Sequence, residues 1–312
     1  RELVLGELST IKKASLPLFA ALGGMIVPAL IYVFMNPEYP DKAGWGIPMA
    51  TDIAFALGAL SLLSKRVPTA LKVFLMALAV IDDLGAILVI AFFYTSEVKL
   101  IALGFASFGL LTILFLQIRH VRSYLIYILI GAGIWSAFLI SGVHATIAGV
   151  LIGLMTPIKF RDNNRPEGHY SPLTELVHKI HPWSQFFIMP VFAFFNAGVA
   201  MGEKSLTELI ANPINEGVFL GLSVGKPIGI TVFCIVAVTL GLSSLPRETR
   251  WSHIFGVGML AGIGFTMSLF ISSLSMNSEQ EIFSKTGILI GSLISGVFGY
   301  LFLRFWPHHK AK

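Results

Sequence analysis

Four ionisable side chains lie inside long apolar stretches, and they are the residues best placed to do chemistry. Asp82 and Asp83 lie near the middle of LMALAVIDDLGAILVIAFFY, Asp52 lies in GWGIPMATDIAFALG, and Lys226 lies in VGKPIGITVFC. A charged side chain at the centre of a spanning helix costs about 2.5–3.5 kcal/mol on insertion scales. Each must therefore be paired, neutral or in contact with a water-filled cavity. Ionisable residues at such depth indicate an ion or proton pathway.

The adjacent pair Asp82 and Asp83 suits the exchange of a proton for a cation. Neighbouring positions on a helix point about 100° apart, so one carboxylate can face a cavity while the other faces a neighbouring helix. Burial and like-charge repulsion both favour keeping a proton on one of them. A hard cation can replace that proton on the same oxygens. The alternative is a hydrogen-bonded contact that links helices, although Asn or Ser could make that contact without an ionisable group.

Asp52 and Thr51 follow a segment that is poorly suited to a continuous helix. Pro48 removes a backbone donor, and Gly44 and Gly46 weaken the helix around it. The pattern predicts an interrupted helix at which carbonyl, hydroxyl and carboxylate oxygens can bind a small cation. An ordinary proline kink, with Asp52 capping the half-helix that follows, is the alternative, and the two interpretations are compatible.

Two further features belong to the second half of the chain. Lys226 is predicted to be the counter-ion of one of the aspartates, and the alternative is a side chain that extends to the membrane surface. The glycine-rich run GVGMLAGIGFTMSLFISS is predicted to be a second interrupted helix. The alternative interpretation of this run is a continuous helix that packs closely against another helix at Gly258 and Gly262. Broken segments in both halves of a chain indicate an inverted-repeat transporter.

The composition requires apolar helices to hold these residues. The chain has 312 residues, of which 55% are hydrophobic and 12% charged, whereas soluble domains have roughly 25% charged residues. Mean hydropathy is +0.80. These values exclude a water-soluble fold and a disordered chain. The one cysteine excludes a disulfide framework, and the scattered cations exclude a nucleic-acid-binding patch. The fold class is therefore an all-α integral membrane protein.

Ten apolar runs are long enough to be membrane spans. They lie near 14–36, 45–64, 70–95, 100–118, 123–141, 142–157, 182–201, 217–241, 254–275 and 286–305. Ten spans place both termini on one side, and that set of loops carries 17 of the 22 Lys and Arg residues, against four on the opposite side. Because cytoplasmic loops carry the excess of Lys and Arg, both termini are predicted to be cytoplasmic.

The motifs, taken together, resemble the NhaA-type sodium/proton antiporters. The resemblance rests on ATDIAFALGAL, FLMALAVIDDLGAILVIAFFY, SGVHATIAGV, HPW, FAFFNAGV, VGKPIGI and GIGFTMSLFI, in that order. It implies inverted repeats with two interrupted crossing helices. The implied parts are a first core repeat (1–98), linking helices (99–141), interface helices (142–213) and a second core repeat (214–312). The family has twelve spans, and this chain is expected to lack the first two.

The resemblance also implies a function and a set of roles. The implied function is export of Na⁺ or Li⁺ against entry of H⁺ across a bacterial inner membrane. The transporter is expected to be a homodimer in the lipid bilayer. It is expected not to be an enzyme, to need no cofactor and to bind no nucleic acid. Asp82 and Asp83 correspond to the ion and proton carriers, with Na⁺ held chiefly by Asp83. Thr51 and Asp52 lie at the first helix break, where Asp52 balances the half-helix dipoles, and Lys226 pairs with Asp82.

Other residues are expected to respond to pH or to contribute to assembly. The resemblance places Arg1, Glu2 and His144 at such positions. Val177 occupies the family's acidic pH-sensing position, so Glu175 nearby is the substitute. His178 and His181 belong to a group of histidines on the predicted cytoplasmic side that could also sense pH.

Two other functions remain as alternatives. An intramembrane aspartyl protease needs two buried aspartates that face each other from separate helices and share a proton. Asp52 and Asp82 could meet that need, but neither lies in a GxGD sequence. An ion-coupled organic-anion symporter of similar architecture would need more buried cations than Lys226 alone.

Overall fold

Helices form almost all of the architecture in the computed structural model, which describes residues 11–63, 66–95, 98–119, 121, 123–156, 160–161, 169–199 and 205–305. The α-helices are α1 (Ile11–Met35), α2 (Ile53–Ser61), α3 (Thr69–Phe93), α4 (Leu100–Ile118), α5 (Tyr124–Ser141), α6 (Thr146–Met155), α7 (Pro172–Trp183), α8 (Met189–Asn196), α9 (Leu206–Ile210), α10 (Pro213–Leu220), α11 (Lys226–Thr239), α12 (Trp251–Ala261), α13 (Phe265–Ser275) and α14 (Ser278–Phe305). A short antiparallel ladder joins β1 (Phe160–Arg161) to β2 (His169–Tyr170). The prediction of an all-α membrane protein is confirmed.

Both predicted helix interruptions are present. A 3-10 helix, Asp41–Met49, contains Pro48, and the next residue, Ala50, has an extended backbone before α2 begins at Ile53. The second interruption separates α12 from α13, whose axes differ by 49°. Gly262 is the C-cap of α12, and a Cβ atom there would overlap the carbonyl oxygen of Leu222. The close approach of two backbones therefore requires glycine at this position.

A π-helical segment, Gly221–Gly225, joins α10 to α11 in the continuous run Pro213–Thr239. It ends immediately before Lys226, the first residue of α11. Such segments insert an extra residue into a helical turn and are frequent at functional sites. A second π-helical segment, Ser184–Ile188, joins α7 to α8. No feature of the sequence had indicated either segment.

Each of the ten predicted spans contains helix in the described part of the chain. Six runs are long and apolar enough to cross a membrane singly, and α12 with α13 gives a seventh if the bent pair is one span. Leu125–Ser141 and Thr146–Met155 are apolar but shorter. The count of ten spans stays a prediction. Large apolar side chains such as Phe34, Ile101 and Phe186 are more than 80% exposed, which suits a surface that faces lipid.

The described residues form two units. One is Ile87–Pro190, whose core includes Ile113, Tyr127 and Ile134. The other, called the terminal unit here, consists of the described residues before Ile87 and after Pro190. Its core includes Leu60, Leu71, Leu75, Ile254 and Leu260. The four-part division into repeats and linking helices stays a prediction.

Candidate ion-binding site

The two helix interruptions of the terminal unit are hydrogen-bonded to each other. The backbone N–H of Asp52 donates to the carbonyl oxygen of Ile263 at 2.6 Å. The hydroxyl of Thr51 lies 3.0 Å from the carbonyl oxygen of Ala261, the last residue of α12. Because helix breaks leave backbone groups without partners inside the helix, each interruption supplies groups that the other can satisfy.

Asp52 holds the N-termini of two half-helices. Its Oδ1 accepts a 3.3 Å hydrogen bond from the N–H of Phe55, so it caps α2. Its Oδ2 accepts from the N–H of Thr266 at 3.1 Å and from the Thr266 hydroxyl, both in the first turn of α13. The carboxylate is buried, and both helix N-termini carry partial positive charge that stabilises it. The capping interpretation of Asp52 describes the local structure correctly.

Lys226 forms a buried ion pair with Asp82. Its Nζ lies 2.7 Å from Asp82 Oδ2, and both side chains are at most 1% exposed. Nζ also donates to the hydroxyl oxygen of Thr51. The alternative in which Lys226 extends to the membrane surface is therefore wrong. A buried pair of this kind persists only when each charge keeps its partner, because an unpaired buried charge is costly.

The hydroxyl of Thr51 has more neighbours than it can satisfy with one proton. It accepts from Lys226, and it lies 2.6 Å from Asp82 Oδ2 and 3.0 Å from the carbonyl oxygen of Ala261. A hydroxyl has a single proton to donate, so it can bond either the carboxylate or the carbonyl at one time. Thr51 thereby connects the charge of Asp82 with the end of α12.

Asp82 and Asp83 each have a carboxylate oxygen that lacks a hydrogen bond in the described part of the chain. Oδ1 of both residues is buried and has no partner among the described residues. Asp83 is half-buried, and Asp82, Lys226 and Asp52 are close enough to act electrostatically on it. Buried polar atoms without partners are uncommon and call for an explanation. Oxygens of this kind can accept a proton or coordinate a hard cation.

Three hydroxyl residues that the sequence reasoning missed support the second interruption. Thr266 binds Asp52, Ser268 donates to the carbonyl oxygen of Ile47 at 2.8 Å, and Ser292 accepts from the N–H groups of Gly264 and Phe265 at 3.2 and 3.1 Å. The position of Thr266 just after the glycine run was a usable signal. Ser292 lies within a long helix that has several other serines, so nothing distinguished it.

Comparison with known proteins identifies the chain. A sequence profile of the family described as Na+/H+ antiporter 1 matches residues 1–303. The Na(+)/H(+) antiporter NhaA of Citrobacter koseri is 49% identical over 308 residues, which cover 97% of this chain and 78% of that protein. The chain belongs to the Na+/H+ antiporter 1 family. NhaA of Enterobacter sp. strain 638 and NhaA 1 of Klebsiella pneumoniae are each 50% identical over 97% of the chain, covering 77% and 76% of their own lengths.

Membership of the antiporter family confirms the resemblance drawn from the motifs, and the protease alternative is not supported. In a protease dyad two carboxylates share one proton. Here Asp82 Oδ2 is bonded to Lys226 and Thr51, whereas Asp52 Oδ2 is bonded to Thr266. No hydrogen bond joins the two aspartates in the part of the chain that the structure describes.

The described residues that were expected to respond to pH belong to a different unit from the aspartates. His144 Nε2 lies 2.6 Å from the carbonyl oxygen of Tyr94, and Glu175 pairs with Lys179 at 3.1 Å. His178 and His181 are exposed on α7. All lie in the Ile87–Pro190 unit, whereas the aspartates lie in the terminal unit. Two further expected residues, Arg1 and Glu2, lie outside the described residues. These roles stay predictions.

Proposed function

We propose that the chain exchanges Na⁺ or Li⁺ for H⁺ at a site centred on Asp83, with Asp82 as its neighbour. Family membership gives Na⁺/H⁺ antiport, a transport activity in which both ions are substrates and no cofactor is needed. The observation that carries the proposed site is the pair of buried carboxylate oxygens, Oδ1 of Asp82 and Oδ1 of Asp83, without hydrogen-bond donors among the described residues.

Competition for these oxygens explains the coupling. A protonated carboxyl offers no negative ligand, so the site that holds a proton cannot hold Na⁺ with the same affinity. In the outward-facing state protons load the carboxyls, and in the inward-facing state Na⁺ displaces them. The membrane potential assists when more charge enters as protons than leaves as sodium, by about 2.3 kcal/mol per charge per 100 mV.

The other site residues are assigned supporting roles. Lys226 compensates the charge of Asp82, at a distance of 2.7 Å. Thr51 and Asp52 hold the two interruptions together, and Asp52 adds negative charge near the cation. This division leaves Asp83, which has no ion pair among the described residues, as the carboxylate most open to an incoming cation.

Several further proposals rest on the sequence alone. The excess of Lys and Arg on one set of loops supports cytoplasmic termini. The resemblance supports a homodimer in the bacterial inner membrane, with Arg1, Glu2, His144, Glu175, His178 and His181 contributing to the response to pH or to assembly.

Exchange in everted membrane vesicles tests the proposed function. Respiration first acidifies the vesicle lumen, and NaCl or LiCl is then added while a pH-sensitive dye is followed. We expect both salts to dissipate the pH gradient, because luminal protons leave as the cation enters. Choline chloride at equal concentration is the control for ionic strength. No dye response to either salt at pH 8–9 would contradict the antiport function.

Two substitutions of Asp83 test the site within the same assay. Asp83→Asn keeps the shape of the side chain but removes its charge and its exchangeable proton, so exchange should vanish while the amount of folded protein is retained. Asp83→Glu keeps the carboxylate on a longer side chain, so some exchange should remain with weaker apparent affinity. Robust proton-coupled exchange by Asp83→Asn would contradict the proposed site without contradicting antiport.

A further inference from the structure

We propose that Thr266 is a positioning residue for ion exchange, because its hydroxyl determines which oxygen of Asp52 remains open to the transported cation. The inference rests on the proposed function and adds a residue from the second interruption to the site. Thr266 is 6% exposed and is the second residue of α13. It contacts Asp52 through two donors, its backbone N–H and its hydroxyl.

The hydrogen bonds of Asp52 are distributed unevenly between its two oxygens. Oδ2 accepts both donors of Thr266, whereas Oδ1 accepts one long bond of 3.3 Å from the N–H of Phe55. Each carboxylate oxygen has about two lone-pair sites. Oδ2 is therefore fully occupied, and Oδ1 has capacity left for a cation. The same division holds for Asp82, where Oδ2 is bonded to Lys226 and Thr51 and Oδ1 has no partner among the described residues.

Thr266 can set this division because two donors from one residue fix the rotation of the carboxylate. The terminal torsion of an aspartate is broad and is not held by rotamer preference alone. Removal of the hydroxyl would leave Oδ2 with the N–H of Thr266 only. The carboxylate could then rotate, and the oxygen open to the cation would no longer have a fixed position.

The structure offers a matched control at the same half-helix. Ser292 accepts hydrogen bonds from Gly264 and Phe265, the residues immediately before Thr266, but it has no hydrogen bond to Asp52. Ser292→Ala therefore weakens the N-terminus of α13 without changing the bonds of Asp52. A variant effect that comes only from loosening this half-helix should appear in both Ser292→Ala and Thr266→Val.

Transport kinetics in proteoliposomes distinguish a positioning role of the Thr266 hydroxyl from a general loosening of α13. The experiment measures the KM and the maximal rate of Na⁺-driven proton exchange, and also the melting temperature in detergent. It compares the unmodified chain with Thr266→Val, Thr266→Ser and Ser292→Ala. Thr266→Val should raise the KM for Na⁺ by at least about tenfold, the lower end of the effect of one hydrogen bond to a charged group, while the maximal rate changes less. Thr266→Ser retains the hydroxyl and should restore the KM. Ser292→Ala should lower the melting temperature and leave the KM within twofold.

Three results would overturn the assignment. They are a KM within twofold of the unmodified chain in Thr266→Val, a failure of Thr266→Ser to restore a raised KM, and an equal rise in Ser292→Ala. Thr266→Ala serves as a second variant without the added methyl group of valine. If neither Thr266→Val nor Thr266→Ala folds while Ser292→Ala does, the hydroxyl is a folding determinant and the proposal is wrong. Absence of Na⁺/H⁺ exchange by the unmodified chain would contradict the proposed function instead.

Discussion

The ion pair of Lys226 and Asp82 defines the energetics of the site at the scale of single residues. The two side chains are at most 1% exposed and lie 2.7 Å apart. Taking both charges out of water is costly, and their mutual attraction offsets that cost only while the contact is intact. The pair therefore contributes little net stability when it is present, whereas the loss of one partner leaves a buried charge without compensation.

Replacing Lys226 with Ala should consequently destabilise the protein by about 3–5 kcal/mol, the usual cost of breaking a buried pair. The melting temperature in detergent measures this effect. The matched control is the double variant Lys226→Met with Asp82→Asn, which removes both charges and should recover most of the loss. An unchanged melting temperature in Lys226→Ala would show that the contact does not compensate Asp82.

At this scale the sequence identified the ionisable residues but not all of their partners. Asp52, Asp82, Asp83 and Lys226 stood out because charged residues are rare in apolar runs. The contact between Asp52 and the Thr266 hydroxyl could not be predicted, because the two residues are 214 positions apart along the chain. Only the packing of one interruption against the other brings the two groups into contact.

At the scale of elements, close helix packing positions the residues of the site. α1 packs against α11, the helix that begins at Lys226, and the two backbones meet at Gly23 and Gly229. A Cβ atom on Gly229 would overlap the carbonyl oxygen of Gly23 and lie 2.9 Å from Cβ of Val27. Small residues at helix contacts allow this approach in membrane proteins.

Gly229→Ala should therefore force α1 and α11 apart and destabilise the protein by roughly 1–3 kcal/mol, the usual cost of overpacking. Gly104→Ala in α4 is the matched control, because its added Cβ would meet no described atom within 4 Å. Thermal unfolding of the two variants in detergent provides the comparison. Equal melting temperatures for Gly229→Ala and Gly104→Ala would show that the contact of Gly23 with Gly229 is not close.

The two interruptions could be predicted at this scale, whereas their geometry could not. Pro48 and the glycines of the GIG run at 262–264 are local signals, because they act on the backbone wherever they occur. The 3-10 form of Asp41–Met49 and the π-helical turn before Lys226 depend on tertiary packing. The same pattern of residue types is compatible with an α-helix, a 3-10 helix and a π-helical turn, so the sequence does not distinguish these three forms.

At the scale of the whole molecule, the chain is built from apolar helices, and its terminal unit joins two interrupted helices through hydrogen bonds of Thr51 and Asp52. The membrane class followed from composition because 39 charged residues cannot cover the surface of a soluble chain of this length. The number of spans is less firmly determined by sequence, since α5 and α6 are apolar but short. We expect Na⁺ and H⁺ to compete for one site built around Asp83.

The most direct test is the apparent KM for Na⁺ as a function of pH in proteoliposomes, with the pH equal on both sides before Na⁺ is added. The fraction of transporters with an unprotonated site falls with falling pH, so the apparent KM should rise by about tenfold per pH unit where one proton competes. At higher pH the KM should level off once the carboxylates are ionised. An apparent KM that stays constant between pH 6 and 9 would contradict competition for a single site.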